Sequence, residues 1–161
     1  MPTITTFLKS DRLLCDRLFH RVEQAVRRRS WRSACCAIER FNRALKQHLL
    51  MEEQVLFKAL EQYSSDAAKS VAAMLQEHRQ LRQVAASVTS AIRLCNARAF
   101  SGAAASLQMM MQEHCAKEEG VVLRMADHFL RPATRFLIDS MRSLQSRPGP
   151  GHPAMEPAVW A

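Results

Sequence analysis

Apolar residues recur along this chain at alternating three- and four-residue steps, in four stretches separated by short breaks. The first stripe is Leu8, Arg12, Cys15, Phe19, Val22, Val26. The second is Trp31, Ala34, Ile38, Phe41, Leu45, His48, Glu52, Val55, Leu56, Ala59. The third is Val71, Met74, Leu75, His78, Leu81, Ala85, Val88, Ile92, Cys95. The fourth is Leu107, Met110, Met111, His114, Glu118, Val121, Val122, Met125, Phe129. Such spacing gathers each set on one face of a helix. It predicts helices near residues 6–28, 31–62, 67–95 and 100–130. Ser30 is a candidate cap for the second helix, although no turn residue marks the join before it. Ser64, Ser65 and Asp66 form a turn and cap cluster, and Asn96 to Ser101 separates the third and fourth helices. Pro132 ends or kinks the fourth and opens a short fifth helix reaching about Leu144. Short connections between long helices imply antiparallel neighbours, so the expected fold is all-α, an up-down-up-down four-helix bundle over residues 1–145. Residues 146–161 have no periodicity and are expected to form a disordered tail.

The stripes contain the wrong residues for a plain core. Arg12, His48, Glu52, His78, His114 and Glu118 all fall on apolar faces, and a carboxylate buried without a partner costs several kcal/mol. Counting about 1.5 Å of rise per residue from each turn puts all six at one height. Two of the segments also repeat. HLLMEEQVLFKA from His48 and HCAKEEGVVLRM from His114 share H-x3-E-E-x-V, on helices expected to run the same way. Each copy sets a His and a Glu one turn apart on one face, as two ligands of one site require. Imidazole with carboxylate suits iron, manganese or zinc, and two carboxylates able to bridge favour a dinuclear centre over a lone zinc. A metal-free buried polar network is the alternative reading.

Composition narrows the class. The chain has 161 residues, enough for one domain, with 4 Gly and with five of its Pro at or after position 132. No apolar run approaches the roughly 20 residues of a membrane span, and MPTITTFLKSDRLL lacks the charged-then-apolar order of a signal peptide. An odd number of cysteines, 5, without framework spacing favours a reducing compartment, so the cytoplasm is expected. The net charge is +8, with Arg27, Arg28, Arg29 and Arg32 in one stretch. The run reads as a solvated helix end, where cations are favoured, and no nucleic-acid or membrane motif accompanies it.

Other residues read as structural. Cys15, Cys35 and Cys95 fit apolar faces and are expected in the core. Cys115 is turned about 100° from His114 and is a poor ligand. Met109 to Met111 reads as a helix crossing the core. Arg82 can only pair with carboxylates, and His128 and His152 are expected in solvent. Glu53 and Glu119 point off the ligand face, as surface groups or as groups backing the ligands. No residue is assigned a catalytic role.

Over roughly residues 5 to 130 the chain resembles bacterial hemerythrin-like, or HHE cation-binding, domain proteins. The resemblance rests on SDRLLCDRLF from Ser10, HLLMEEQVLF from His48, MLQEH from Met74 and MQEHCAKEEGVVLRMAD from Met111. It implies an antiparallel bundle holding non-haem iron, with His48, His78 and His114 as terminal ligands and Glu52 and Glu118 as bridges. It further implies binding or sensing of O2, NO or peroxide. A degenerate metal-free interaction module and an iron donor for repair are the other functions considered. One departure matters: the family carries an Asp-His pair on the first helix, and here the pair is Asp11-Arg12. A guanidinium cannot ligate a metal, and His20 lies off the stripe. The iron is therefore expected as a weakened pair, as a mononuclear centre, or not at all, with Arg12 in the last case paired to Glu52 or Glu118.

Overall fold

Thr3 opens the first helix. Its hydroxyl accepts from the Thr6 amide at 3.1 Å while the Thr6 hydroxyl accepts from the Thr3 amide at 2.8 Å, which satisfies two backbone donors reciprocally. Helix α1, Ile4–Arg27, therefore begins two residues before the stripe predicts. The protein is described here by a computed structural model covering residues 2–146; the expected tail from Arg147, with His152, lies outside the described residues. Helix α2 runs Trp31–Met51, passes through a π-helical turn at Glu52–Leu56, and ends at Phe57–Leu60. Helix α3 is Ser65–Arg93. Helix α4 runs Ala97–Lys117, passes through a second π-helical turn at Glu118–Val122, and continues as Leu123–Phe129. A single 3-10 turn, Arg131–Ala133, leads into helix α5, Thr134–Gln145. No strand occurs among the described residues, and no helix is long and apolar enough to cross a membrane.

Some joins differ from their sequence reading. Ser64 caps α3 by accepting from Ala67 N, as expected, and Asn96 caps α4 by accepting from Ala99 N at 2.9 Å, so α4 starts at Ala97 and not near residue 100. Ser30 precedes α2, but its hydroxyl donates to Ser33 Oγ and makes no cap bond. The reversal there is made by Arg29, at φ 56°, with Ser30 N bonded to Ala25 O. Cys95 does the same after α3, at φ 51°, with Asn96 N bonded to Ala91 O. Both are left-handed helix ends of the kind glycine usually makes, which explains the missing turn signal. Cys95 is consequently exposed, not core as expected; Cys15 is buried and Cys35 half-buried against the core.

Side-chain bonds fix the up-down-up-down order. Thr5 Oγ1 donates to Asp127 Oδ2 at 2.6 Å near one end of the bundle, and Gln108 Nε2 donates to Glu23 Oε1 farther along, so α1 and α4 run antiparallel. Asn42 to Thr89 and His78 to Glu53 pair α2 with α3 in the same sense. The apolar interior falls into two bodies. One holds Phe19, Ile38, Phe41, Leu81, Val88 and Leu107; the other holds Ile4, Leu8, Leu56, Phe57, Leu60 and Leu123. Helix α5 buries Leu137 and Met141 against the second. Between the two bodies lie the buried polar residues.

Candidate metal centre

Among the described residues, the buried polar and charged side chains are His48, Glu52, His78, His114 and Glu118, the five expected to be ligands. They form the single layer that the height count anticipates. Each H-x3-E copy is an α-helix that converts to a π-helix at its Glu, since the π turns begin at Glu52 and at Glu118. A π turn inserts one residue into the helical register. The apolar face therefore shifts past the site: Val122 is buried, while Val121, expected in the stripe, is 48 % exposed.

Three imidazoles share one hydrogen-bond pattern. His48 Nδ1 lies 2.9 Å from Asp11 Oδ2, His78 Nδ1 2.8 Å from Glu53 Oε1, and His114 Nδ1 2.9 Å from Glu77 Oε2. An ionised carboxylate only accepts, so each Nδ1 carries the proton and donates. In the neutral ring this leaves Nε2 as a lone pair, and each Nε2 turns toward the layer. Each carboxylate has a second partner: Gln145 donates to Asp11 at 2.7 Å, Arg82 pairs with Glu53 at 2.8 Å, and Lys117 pairs with Glu77 at 2.7 Å. Carboxylates placed this way fix ring orientation and raise ligand basicity at metal centres.

The carboxylates inside the layer lack such partners. Glu52 Oε1 is 2.9 Å from His48 Nε2, and Glu52 Oε2 is 3.1 Å from His78 Nε2. Those are close ionic contacts without hydrogen-bond alignment, for both Glu52 oxygens, His78 Nε2, His114 Nε2 and Glu118 Oε1 are buried with no hydrogen-bond partner. Each such atom costs about 1–3 kcal/mol if left unsatisfied. One ligand atom each from Glu52, His78 and His114 lie within 4.8 Å of one another. Imidazole nitrogen and carboxylate oxygen converging on one point, all otherwise unpartnered, fit a first-row transition metal ion.

The same crowding sets the charge states of the protein groups. Burial and the charge of Glu52 push Glu118 well above its usual range. Burial alone would raise Glu52, but His48 and His78 beside it hold it well below. Burial pulls His48 down, yet Glu52 and Asp11 outweigh it and raise it well above 6.5. His114 is lowered, chiefly by burial. Protons thus hold places that a cation would otherwise take.

Arg12 is the correction. It was expected at the height of the layer, and in the metal-free case paired to Glu52 or Glu118. Its Nη1 instead lies 2.7 Å from Glu119 Oε1, with Lys9 on the other Glu119 oxygen at 2.7 Å. The Arg12 side chain is 19 % exposed. Burial works against its charge, and the Glu119 bond and the neighbouring Cys115 thiol more than restore it. The Cys15 and Cys115 thiols are pushed up to about 12 and about 11, chiefly by burial. Met109 is exposed and Met110 and Met111 half-buried, so that run skirts the core rather than crossing it. His128 is exposed, as expected, with its ring edge-on to Phe129 at 4.9 Å.

Asp11 and Glu77 were not singled out from sequence. The signal was adjacency: Asp11 precedes Arg12, Glu53 follows Glu52, Glu77 precedes His78 and Glu119 follows Glu118. One residue from the layer position, a side chain is rotated about 100° around its helix and reaches the layer residue of the next helix.

A family model described as the hemerythrin HHE cation binding domain matches residues 3–126. No curated protein and no solved structure gives a match.

Proposed function

The chain belongs to the hemerythrin HHE cation-binding domain family, and from that membership we propose that it is a non-haem iron protein whose centre binds or senses O2, NO or peroxide. The donor set is His48, Glu52, His78, His114 and Glu118. The observation that carries the reading is the set of three imidazoles, each donating Nδ1–H to a carboxylate and turning Nε2 toward the unpartnered oxygens of the layer. Iron held there supplies reversible binding and redox chemistry for a small molecule. The chain's own part is to hold the donors rigid and to keep bulk water out. Apolar packing above and below the layer does the second, and the outer carboxylates do the first. No catalytic residue is assigned. The odd cysteine number supports a reducing, cytoplasmic setting for such iron.

The test is iron loading of the full chain under reducing conditions, followed by gel filtration, metal analysis and optical spectra on adding O2 or NO. Retained iron with a ligand-dependent absorption change is the expected result; a chain that retains no iron overturns the reading. A metal-free bundle that docks a protein partner is the competing reading. Arg12, which cannot ligate, favours it, and the same metal analysis separates the two.

A further inference from the structure

The carboxylates outside the layer form a closed ring, each reaching from one helix to the layer residue of the next. Asp11 on α1 reaches His48 on α2, Glu53 on α2 reaches His78 on α3, Glu77 on α3 reaches His114 on α4, and Glu119 on α4 returns to Arg12 on α1. Three of these spokes end in an imidazole with an inward lone pair. The fourth ends in a guanidinium, which has five donors and no lone pair. The layer is thereby unequal in its two halves. The half between the His78 and His114 spokes has two ring nitrogens and Glu52 Oε2. The half between the His48 and Arg12 spokes has one ring nitrogen and Glu52 Oε1, with the Glu118 carboxylate facing the charges of His48 and Arg12.

Resting on the reading of this layer as a metal site, we infer that each chain holds one divalent metal ion, in the His78–His114 half with Glu52, and that the His48–Arg12 half takes none. Two observations support this besides the donor count. First, among the described residues Glu52, His78 and His114 are the one trio of His, Cys, Asp or Glu ligand atoms that converges within 4.8 Å. Neither Cys15 nor Cys115 completes a second. Secondly, the charges close on one ion. The four ring carboxylates are matched in number by four cations: Arg82 at Glu53, Lys117 at Glu77, and Lys9 and Arg12 at Glu119, while Asp11 meets the His48 ring and the neutral amide of Gln145. Of the two inner carboxylates, Glu52 is left for a divalent ion and Glu118 faces the charges of His48 and Arg12. A second ion would add two positive charges beside the Arg12 guanidinium, between apolar bodies, a costly arrangement at low dielectric.

The ring also says what would restore the missing half. Glu119 stands on the next helix, as the orienting carboxylates do at the other three corners, and a His at position 12 would return the missing ring nitrogen beside it.

The experiment uses chelator-treated full chain titrated anaerobically with Fe(II), reading iron per chain after gel filtration. Matched variants are His48→Gln, His114→Gln and Arg12→His. The Gln amide can still donate to Asp11 or to Glu77, and helicity by circular dichroism checks that each variant folds. The expected result is one iron in the wild type, one in His48→Gln, at least a 10-fold loss of affinity in His114→Gln, and a second iron in Arg12→His. Two irons in the wild type would overturn the single-ion inference while leaving the metal site intact. Loss of iron in folded His48→Gln with retention in His114→Gln would overturn the choice of half. No iron in the wild type removes the metal reading itself, and this inference with it.

Discussion

Arg12 Nη1 lies 2.7 Å from Glu119 Oε1, and that contact occupies the place that a histidine–carboxylate bond occupies at the other three corners of the layer. The guanidinium therefore belongs to the outer ring and leaves both Glu52 oxygens and Glu118 Oε1 without a hydrogen-bond partner. A partly exposed ion pair of this kind contributes about 0.2–1 kcal/mol. A guanidinium buried against Glu52 would instead cost about 3–5 kcal/mol when removed.

Arg12→Ala should accordingly lower the unfolding free energy by no more than about 1 kcal/mol, as read by urea denaturation. A loss of several kcal/mol would place Arg12 inside the layer after all.

The pH dependence of stability should invert between the chelated and the metal-loaded protein. Burial and Glu52 raise Glu118 above 4.5, so its contribution is complete below pH 4.5 and is lost as pH rises through the raised value. His48 is lowered by burial but raised overall by Glu52 and Asp11. Its contribution is complete below pH 6.5 and is lost as pH rises through its raised value. Glu52, held below 4.5 by His48 and His78 against its burial, contributes above pH 4.5 and loses that only as pH falls through the lowered value. From pH 6.5 upward the first two dominate. With chelator present, the thermal midpoint should fall as pH rises from 6.5; with saturating metal, which displaces those protons, the fall should vanish or reverse. Identical pH profiles in the two conditions would contradict this.

Glu53→Gln and Glu77→Gln should each weaken metal binding about 10–100-fold, the usual cost of losing an orienting carboxylate, with little change in helicity. Competition against a metal-sensitive dye reads the affinity. Unchanged affinity in both would show that Glu53 and Glu77 do not orient His78 and His114.

The left-handed residues at the two helix ends give a prediction remote from the site. A non-glycine residue in that conformation costs about 1–2 kcal/mol, part of which glycine returns through its freer unfolded chain. Arg29→Gly and Cys95→Gly should each raise the unfolding free energy by about 0.5–1 kcal/mol, measured by denaturant titration. Destabilisation by either would contradict the strain argument.

Those two turns also mark where the sequence was hard to read. The four helices and the polar layer were legible because burial imposes a period on apolar residues, and because His48, Glu52, His78, His114 and Glu118 interrupt that period at one height. A left-handed turn made by Arg29 or Cys95 carries no compositional mark. The π turns at Glu52 and Glu118 were hidden for a related reason: a one-residue insertion leaves composition unchanged and only moves the buried face from Val121 to Val122. Arg12 was placed at the correct height, but its partner in the metal-free case was given as Glu52 or Glu118, not Glu119. Its stripe position fixes where the Cα sits, and a long flexible side chain can then reach Glu119 on the adjacent helix. Asp11, Glu53, Glu77 and Glu119 became readable as a group only when the helices were arranged in a cycle.

The most direct test of the account is the iron content of the wild type against His114→Ala, both loaded under the same reducing conditions and passed through gel filtration. His114 Nε2 is one of two ring nitrogens beside Glu52 in the converging trio, and the Ala variant removes it outright. The account predicts iron that travels with the wild-type protein and is absent from the folded variant. Equal iron in the two proteins, or none in either, would contradict it.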